Sequence, residues 1–254
     1  MLKSERQDAI EQLCENLGTA TVHRLAQELQ VSDMTVRRDL EEMAAQGRLV
    51  RVHGGARSVA GQRGMAVPRE FTHSEKRSLH VKEKRAVAAS AAKLVEPGNT
   101  VFLGAGTTME LVAQALPAGR LRIVTNSLSI FDLLRGRPHT ELCLVGGIYR
   151  PTTDAFVGPM AENSVDLLGI DVAFIGCNGI LDGAISTSNM EEGRFQNEVF
   201  ERSDRRYVVC DSSKVGRRDF YTFYSLDDVD ALVTDKGLTG EQRESLSEHT
   251  QIIG

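Results

Sequence analysis

The sequence predicts an α/β protein in two parts, an N-terminal winged helix-turn-helix followed by a Rossmann-like, mostly parallel α/β domain. Three observations lead there. Residues 1–58 hold three short helical patterns and then two brief strand-like runs around Gly54-Gly55. From Lys82 onward an Ala-rich helix (VKEKRAVAASAAKLV) leads into short apolar runs: TVFL (100–103), LRIVT (121–125), ELCLV (141–145), VAFI (172–175), YVVC (207–210) and ALVT (231–234). Helix-length polar or amphipathic segments separate most of these runs, the pattern of a parallel sheet covered on both faces. Residues 59–80, with AGQRG, Pro68 and scattered charges but no sustained period, read as a linker. The expected organisation is therefore 1–58, a linker over 59–80, and 81–254.

Composition bounds the function. With 254 residues and 41% hydrophobic content, the chain can bury one large core or two. No apolar run approaches the roughly 20 residues that cross a bilayer, and the charged N-terminus MLKSERQDAIEQL does not resemble a signal peptide. A cytoplasmic protein without membrane contact is expected. Cys14, Cys143, Cys177 and Cys210 lie far apart beside apolar segments, so they read as small buried hydrophobes rather than metal or redox groups. The formal charge of −5 excludes a uniformly basic coat, so any DNA contact must come from a local cluster.

In the first part, Ile10, Leu13 and Leu17 mark the inner face of helix one, and Gly18 stops it. Thr21 can cap VHRLAQEL, and Ser32 can cap DMTVRRDLEEMAAQ. Within that third helix Val36, Leu40 and Met43 form the packed stripe. At 100° per residue, Met34 and Arg38 point away from it, with Thr35 and Arg37 on the flanks. A short helix, a tight turn and a second helix with outward Thr and Arg describe an element that enters the major groove. LVRVHGGARSV follows as a wing, with Arg51 and His53 toward the DNA backbone. Residues 1–58 carry eight Lys and Arg against nine Asp and Glu, so the arginines at 37–57 make a local patch rather than a basic domain. The candidate DNA-facing set is Ser32, Met34, Thr35, Arg37, Arg38, Arg51 and His53. An ordinary three-helix bundle with solvated arginines, or a winged helix used only for protein contacts, is the alternative.

In the second part, the strand runs end in Gly or polar loops: Gly104-Ala105-Gly106-Thr107-Thr108, Asn126-Ser127, Gly146-Gly147, Gly176 with Asn178-Gly179, and Asp211-Ser212-Ser213-Lys214. Such loops converge on one edge of a parallel sheet, where α/β domains bind ligands, and a helix start behind a glycine turn offers free N–H groups to an anion. The spacing is not G-x-G-x-x-G, and no suitably placed acid follows, so no dinucleotide cofactor is expected, and no metal. Lys214 can serve a phosphate or lie on the surface; Asp211 can be a cap only.

SDMTVRRDLEEMAAQGRLVRVHGGA at 32–56 resembles the signature of the DeoR family of sugar-metabolism repressors, and the likeness extends over nearly the whole chain. The second part resembles that family's sugar-phosphate-sensing domain, related in fold to ribose-5-phosphate isomerase and the CoA-transferases. The resemblance implies that Thr35, Arg37 and Arg38 contact duplex operator DNA, with Arg51 and His53 supporting. It implies that Gly106, Thr107 and Thr108 cradle the phosphate of a small sugar or polyol effector, completed by Asn126, Ser127 and Lys214. Gly104, Gly147, Gly176, Asn178, Gly179 and Glu191 fill out the candidate effector set, with Glu192 as a further hydroxyl acceptor. Relatives commonly carry Asp where this chain has Gly104, and many carry Lys where it has Gln196. Losing a carboxylate base at the sugar carbon argues for binding without turnover, against a sugar-phosphate isomerase with an appended DNA-binding domain. A single winged helix reads only a few base pairs, so a homodimer or homotetramer is expected.

Overall fold

The structure, a computed structural model, describes residues 3–17, 19–52, 54–58 and 70–254. The chain divides into two compact units, 1–67 and 68–254.

In the first unit, α1 (Lys3–Leu17) leads through β1 (Thr19–Thr21) into α2 (Val22–Leu29), α3 (Asp33–Ala45), β2 (Leu49–Val52) and β3 (Gly55–Ser58). Thr21 accepts from the Arg24 N–H at 3.3 Å and Ser32 from the Thr35 N–H at 3.2 Å, so each cap expected from sequence starts its helix. Ile10, Leu25, Val36, Leu40 and Met43 are completely buried. Asp39 lies among them and is neutralised by Arg6, whose Nε donates to it at 2.6 Å. The sheet order is β1-β3-β2, all antiparallel. The strand β1 is absent from the sequence reading, being only three residues long. Its approach requires Gly55, where a Cβ would sit 2.1 Å from the Ala20 carbonyl.

The second unit begins with α4 (His73–Arg77) and α5 (Val81–Ala92), then β4 (Thr100–Leu103), α6 (Thr107–Ala115), β5 (Leu121–Thr125), α7 (Leu128–Leu134) and β6 (Thr140–Leu144). A hairpin of β7 (Ile148–Arg150) and β8 (Ala155–Val157) precedes α8 (Pro159–Val165) and β9 (Ile170–Ile175). Next come β10 (Gly179–Leu181), β11 (Ala184–Thr187), α9 (Met190–Glu201), β12 (Ser203–Val209) and β13 (Tyr221–Ser225), and the chain ends with β14 (Ala231–Val233), α10 (Gly240–Ser247) and β15 (Gln251–Ile253).

Seven strands form one parallel sheet in the order β6-β5-β4-β9-β12-β14-β15. Successive strand residues alternate between two cores. Phe102, Ala173, Ile175 and Val208 pack with Phe195, Val199 and Phe200 of α9 on one face. On the other, Val101, Leu103, Val172, Phe174 and Val209 pack under Val87 and Ala91 of α5, Met109 and Val112 of α6, and Ile130 of α7. All six apolar runs are strands of this sheet. The seventh, β15, with only two apolar residues in a row, is too short to stand out, and the small sheet β10-β11-β13 lies outside the run pattern.

Two expectations need correction. Residues 70–80, read as linker, belong to the second unit, because α4 carries a capping box at Thr72 and Glu75 and hydrogen-bonds into the α/β body. Cys143 is exposed on the edge strand β6 rather than buried; Cys14 and Cys210 are buried, and Cys177 is half-buried.

Because Leu40 belongs to the small core of the first unit alone, Leu40→Ala is expected to cost about 3 kcal/mol there. Two-transition thermal unfolding checks this: the transition that accompanies loss of DNA binding should fall while the other stays in place.

Candidate nucleic-acid interface and anion site

On α3 the packed stripe leaves Met34 76% exposed, with Arg37 and Arg38 exposed beside it. The guanidinium of Arg38 is held only loosely, 3.8 Å from Glu42 one turn on. Ser32 and Thr35 are tied to each other, their hydroxyls 2.9 Å apart, so Ser32 acts first as the helix cap. Arg51 reaches across from β2 and donates to the Arg37 carbonyl at 3.2 Å, fixing the wing strand against the helix. His53 lies outside the described residues. The other basic side chains of this unit are largely spent internally: Arg48 binds Glu11 and Asp8, and Arg6 binds Asp39. On α3 the outward charge is Arg37 and Arg38, with Arg24 of α2 and Arg51 of β2 also exposed.

The winding of the second unit reverses between β4 and β9, since the chain proceeds outward through β5 and β6 and then returns to β9 and β12. The C-terminal ends of those two strands are where an open α/β sheet leaves a crevice. At the end of β4, Gly104 is buried and its N–H donates to the Phe174 carbonyl at 3.0 Å, which joins it to β9. Gly106 adopts φ +138° before α6, a conformation side chains disfavour, and Thr107 and Thr108 open the helix. The Thr107 hydroxyl accepts from Lys84 Nζ at 3.0 Å, and the same ammonium donates to the Lys76 carbonyl at 2.6 Å. Lys214 ends the turn at 212–214 after β12, and Asp211 caps that turn.

Lys76, Lys84 and Lys214 act on one another electrostatically. Burial, opposed by Asp211 and reinforced by Lys214 and Lys76, pushes the Lys84 pKa down to about 8. The Lys76 ammonium is likewise lowered, first by burial and then by Lys214, against the attraction of Glu192, Glu70 and Asp219. Lys84, bonded to Thr107 at the start of α6 and to the Lys76 carbonyl and acted on by Lys214, is arranged to attract an anion where the backbone N–H groups also point outward. The candidate effector set read from the sequence includes Lys214 and the Gly-Thr-Thr loop but neither Lys76 nor Lys84. The signal for Lys84 was present: it stands in register with the buried Val87, Ala88 and Ala91 on an otherwise apolar helix face.

Beside the lysines lies a polar network. Lys76 Nζ donates to Asn178 Oδ1 at 3.2 Å, and Asn178 Nδ2 donates to Asp219 at 2.9 Å and Ser188 at 3.1 Å. Ser188 donates to Glu70 at 2.8 Å, Glu70 pairs with Arg150, and Arg150 reaches Glu192 at 3.2 Å. Burial pushes the Glu192 carboxyl up, against the hydrogen bond from Thr153. Among the described residues no group of His, Cys, Asp and Glu could hold a metal ion.

Several candidates have other work. Glu191 is on the solvent face of α9, one 100° step from the buried Glu192, so Glu192 is the inward carboxylate. Ser127 is fully buried and caps α7, accepting from the Ile130 N–H. Asn126 donates to the Phe156 carbonyl at 3.0 Å, pinning β8, while its Oδ1 is buried and unpartnered. A Cβ on Gly147 would meet the Val157 carbonyl at 2.6 Å, and one on Gly179 the Arg217 carbonyl at 2.5 Å, so both glycines serve close backbone packing. Gly176 and Asn178 remain at the crevice, at the end of β9.

Two family models match the chain, the DeoR-like helix-turn-helix domain over residues 6–62 and the DeoR C terminal sensor domain over 79–236. The chain belongs to the DeoR family. Similar curated DeoR-type proteins include a lactose phosphotransferase system repressor from Streptococcus mutans, 37% identical over the full length of both chains. One of the same description from Staphylococcus aureus is 38% identical over 92% of this chain and 93% of its own. Among solved structures, ribose 5 phosphate isomerase A from Neisseria gonorrhoeae aligns with 18% identity over 59% of this chain and 57% of its own, with a TM-score of 0.38. The eIF2B delta subunit from Chaetomium thermophilum aligns with 11% identity over 63% and 58%, with a TM-score of 0.47.

An anion reaching this DeoR sensor favours the charged form of Lys84, so binding should draw a proton onto it near pH 8. Affinity for inorganic phosphate is then expected to fall by up to about tenfold per pH unit above pH 8. Calorimetry in two buffers of different ionisation heat should report proton uptake at pH 8; a pH-independent affinity would remove Lys84 from the site.

Proposed function

We propose that this DeoR-family chain is a cytoplasmic repressor that binds operator DNA through α3 as a homodimer or homotetramer and is controlled by a small phosphorylated sugar or polyol. The observation that carries the reading is the gathering of Lys76, Lys84 and Lys214 at the reversal point of the sheet, in a chain whose other unit presents Arg37 and Arg38 outward from a helix-turn-helix. The lysines and the Gly106-Thr107-Thr108 turn suit a phosphate. The network of Asn178, Ser188, Glu70 and Glu192 supplies hydroxyl partners beside it. The curated relatives are named repressors of a lactose phosphotransferase system, which fits a sugar-derived effector. Turnover is not part of this reading: Gly104 offers no base at the end of β4, and Glu192 is engaged by Arg150 and Thr153. Arg51, bonded to Arg37, supports the reading helix. No helix among the described residues is long and apolar enough to cross a membrane.

Titration of operator DNA should show Arg37→Ala and Arg38→Ala each weakening binding at least about fivefold, with relaxed sequence preference where the arginine reads a base. Mutants that match the wild type on both operator and scrambled DNA would refute the interface. A thermal-shift panel of sugar phosphates, free sugars and polyol phosphates should stabilise the protein with phosphorylated members alone, and Lys214→Ala should diminish the shift.

A further inference from the structure

Resting on the phosphorylated-effector reading, we propose that Lys76 is itself a ligand of the effector's anionic group, so that effector binding and the docking of residues 70–77 onto the α/β body are one event. Lys76 is not part of the sheet or its covering helices. It is carried by α4, at the very start of the second unit and directly after the stretch that leads out of the first.

The other anchors of this segment are complete. Glu70 pairs with Arg150 and accepts from Ser188. The His73 N–H donates to the Thr152 carbonyl at 2.7 Å, and its ring lies 2.7 Å from Glu110. Arg77 meets the same carboxylate at 2.9 Å. Each cationic anchor except Lys76 therefore faces a carboxylate. Lys76 instead donates to the neutral Asn178 amide, using one of the three hydrogens of its ammonium group. Its backbone carbonyl is held by the Lys84 ammonium at 2.6 Å, which ties a second cation to the same residue. Among the described residues neither Lys76, Lys84 nor Lys214 makes an ion pair.

Like charges brought together in a half-buried place repel, and an anion bound between them offsets that repulsion. The segment is thus docked by its acidic and His/Arg contacts, while at Lys76 burial and the Lys214 charge work against the attraction of Glu192, Glu70 and Asp219, none of which makes an ion pair with it. A phosphate held by Lys84, Thr107 and Lys214 would give Lys76 the direct ionic partner that it lacks. Lys76 also joins the two ends of the site, because its Asn178 partner opens the hydroxyl-binding network.

The test uses the full-length protein, with inorganic phosphate, ribose 5-phosphate and glucose 6-phosphate as probes, read by calorimetry and by hydrogen exchange over residues 70–77. The wild type is expected to bind at least one probe and to slow exchange in this segment on binding. Lys76→Gln should weaken that binding at least about tenfold and erase the added protection, whereas Lys76→Arg, which keeps the charge, should retain both. Circular dichroism and operator binding of Lys76→Gln verify its folding. Binding by Lys76→Gln equal to wild type, or wild-type binding without slower exchange at 70–77, would overturn this inference and leave the phosphate-sensing reading standing. Failure of the wild type to bind any of the three probes would overturn both, so the two failures are told apart by the wild-type arm.

Discussion

An ammonium group carried into the side of an α/β core organises the C-terminal edge of the second unit. Lys84 extends from a helix whose neighbouring positions, Val87, Ala88 and Ala91, are all packed against the sheet, and it cannot turn to solvent without unpacking them. Its charge is therefore satisfied locally, by the Thr107 hydroxyl and the Lys76 carbonyl. Those bonds place α5, the α6 turn and the α4 segment against one another. With Lys214 arriving from the end of β12, positive charge gathers where the sheet reverses its winding. The parallel sheet sets the position; the buried lysine sets the chemistry.

The first unit solves a different electrostatic problem, presenting positive charge to DNA from a body with slightly more acids than bases. It does so by internal pairing. Arg48 and Arg6 are consumed by Glu11, Asp8 and Asp39, and these contacts hold α1 against α3 and β2. The exposed guanidiniums on α3 are left to face outward. Net charge was thus a poor guide to this unit, and the placement of individual arginines a good one.

The parts legible in the sequence were those governed by local rules. Ser32 and Thr21 announced helix starts because a side-chain oxygen there has one dominant use. The six apolar runs announced strands because a sheet covered on both faces leaves no polar position in its centre. The elements that escaped are held by distant partners. The strand β1 exists because Gly55 lets β3 approach Ala20, and α4 belongs to the second unit because Glu70, His73 and Arg77 find Arg150 and Glu110. At the site, motif residues were found readily, but their work was only partly legible. Ser127 and Gly147 sit in the expected loops yet serve capping and packing, while Glu192 rather than Glu191 turns inward, a difference of one residue that only the helix phase decides.

Arg150 clasps Glu70 on one side and Glu192 on the other, joining three chain segments that are remote in sequence. None of the three belongs to the strand-turn-helix that carries Gly106 and Thr107. Exchanges on β7 or α9 therefore reach the lysines through Glu70 and Glu192, which anchor and attract Lys76, but leave the Gly106-Thr107 turn itself in place. A scaffold divided in this manner can change the polar wall beside the turn without rebuilding the turn itself.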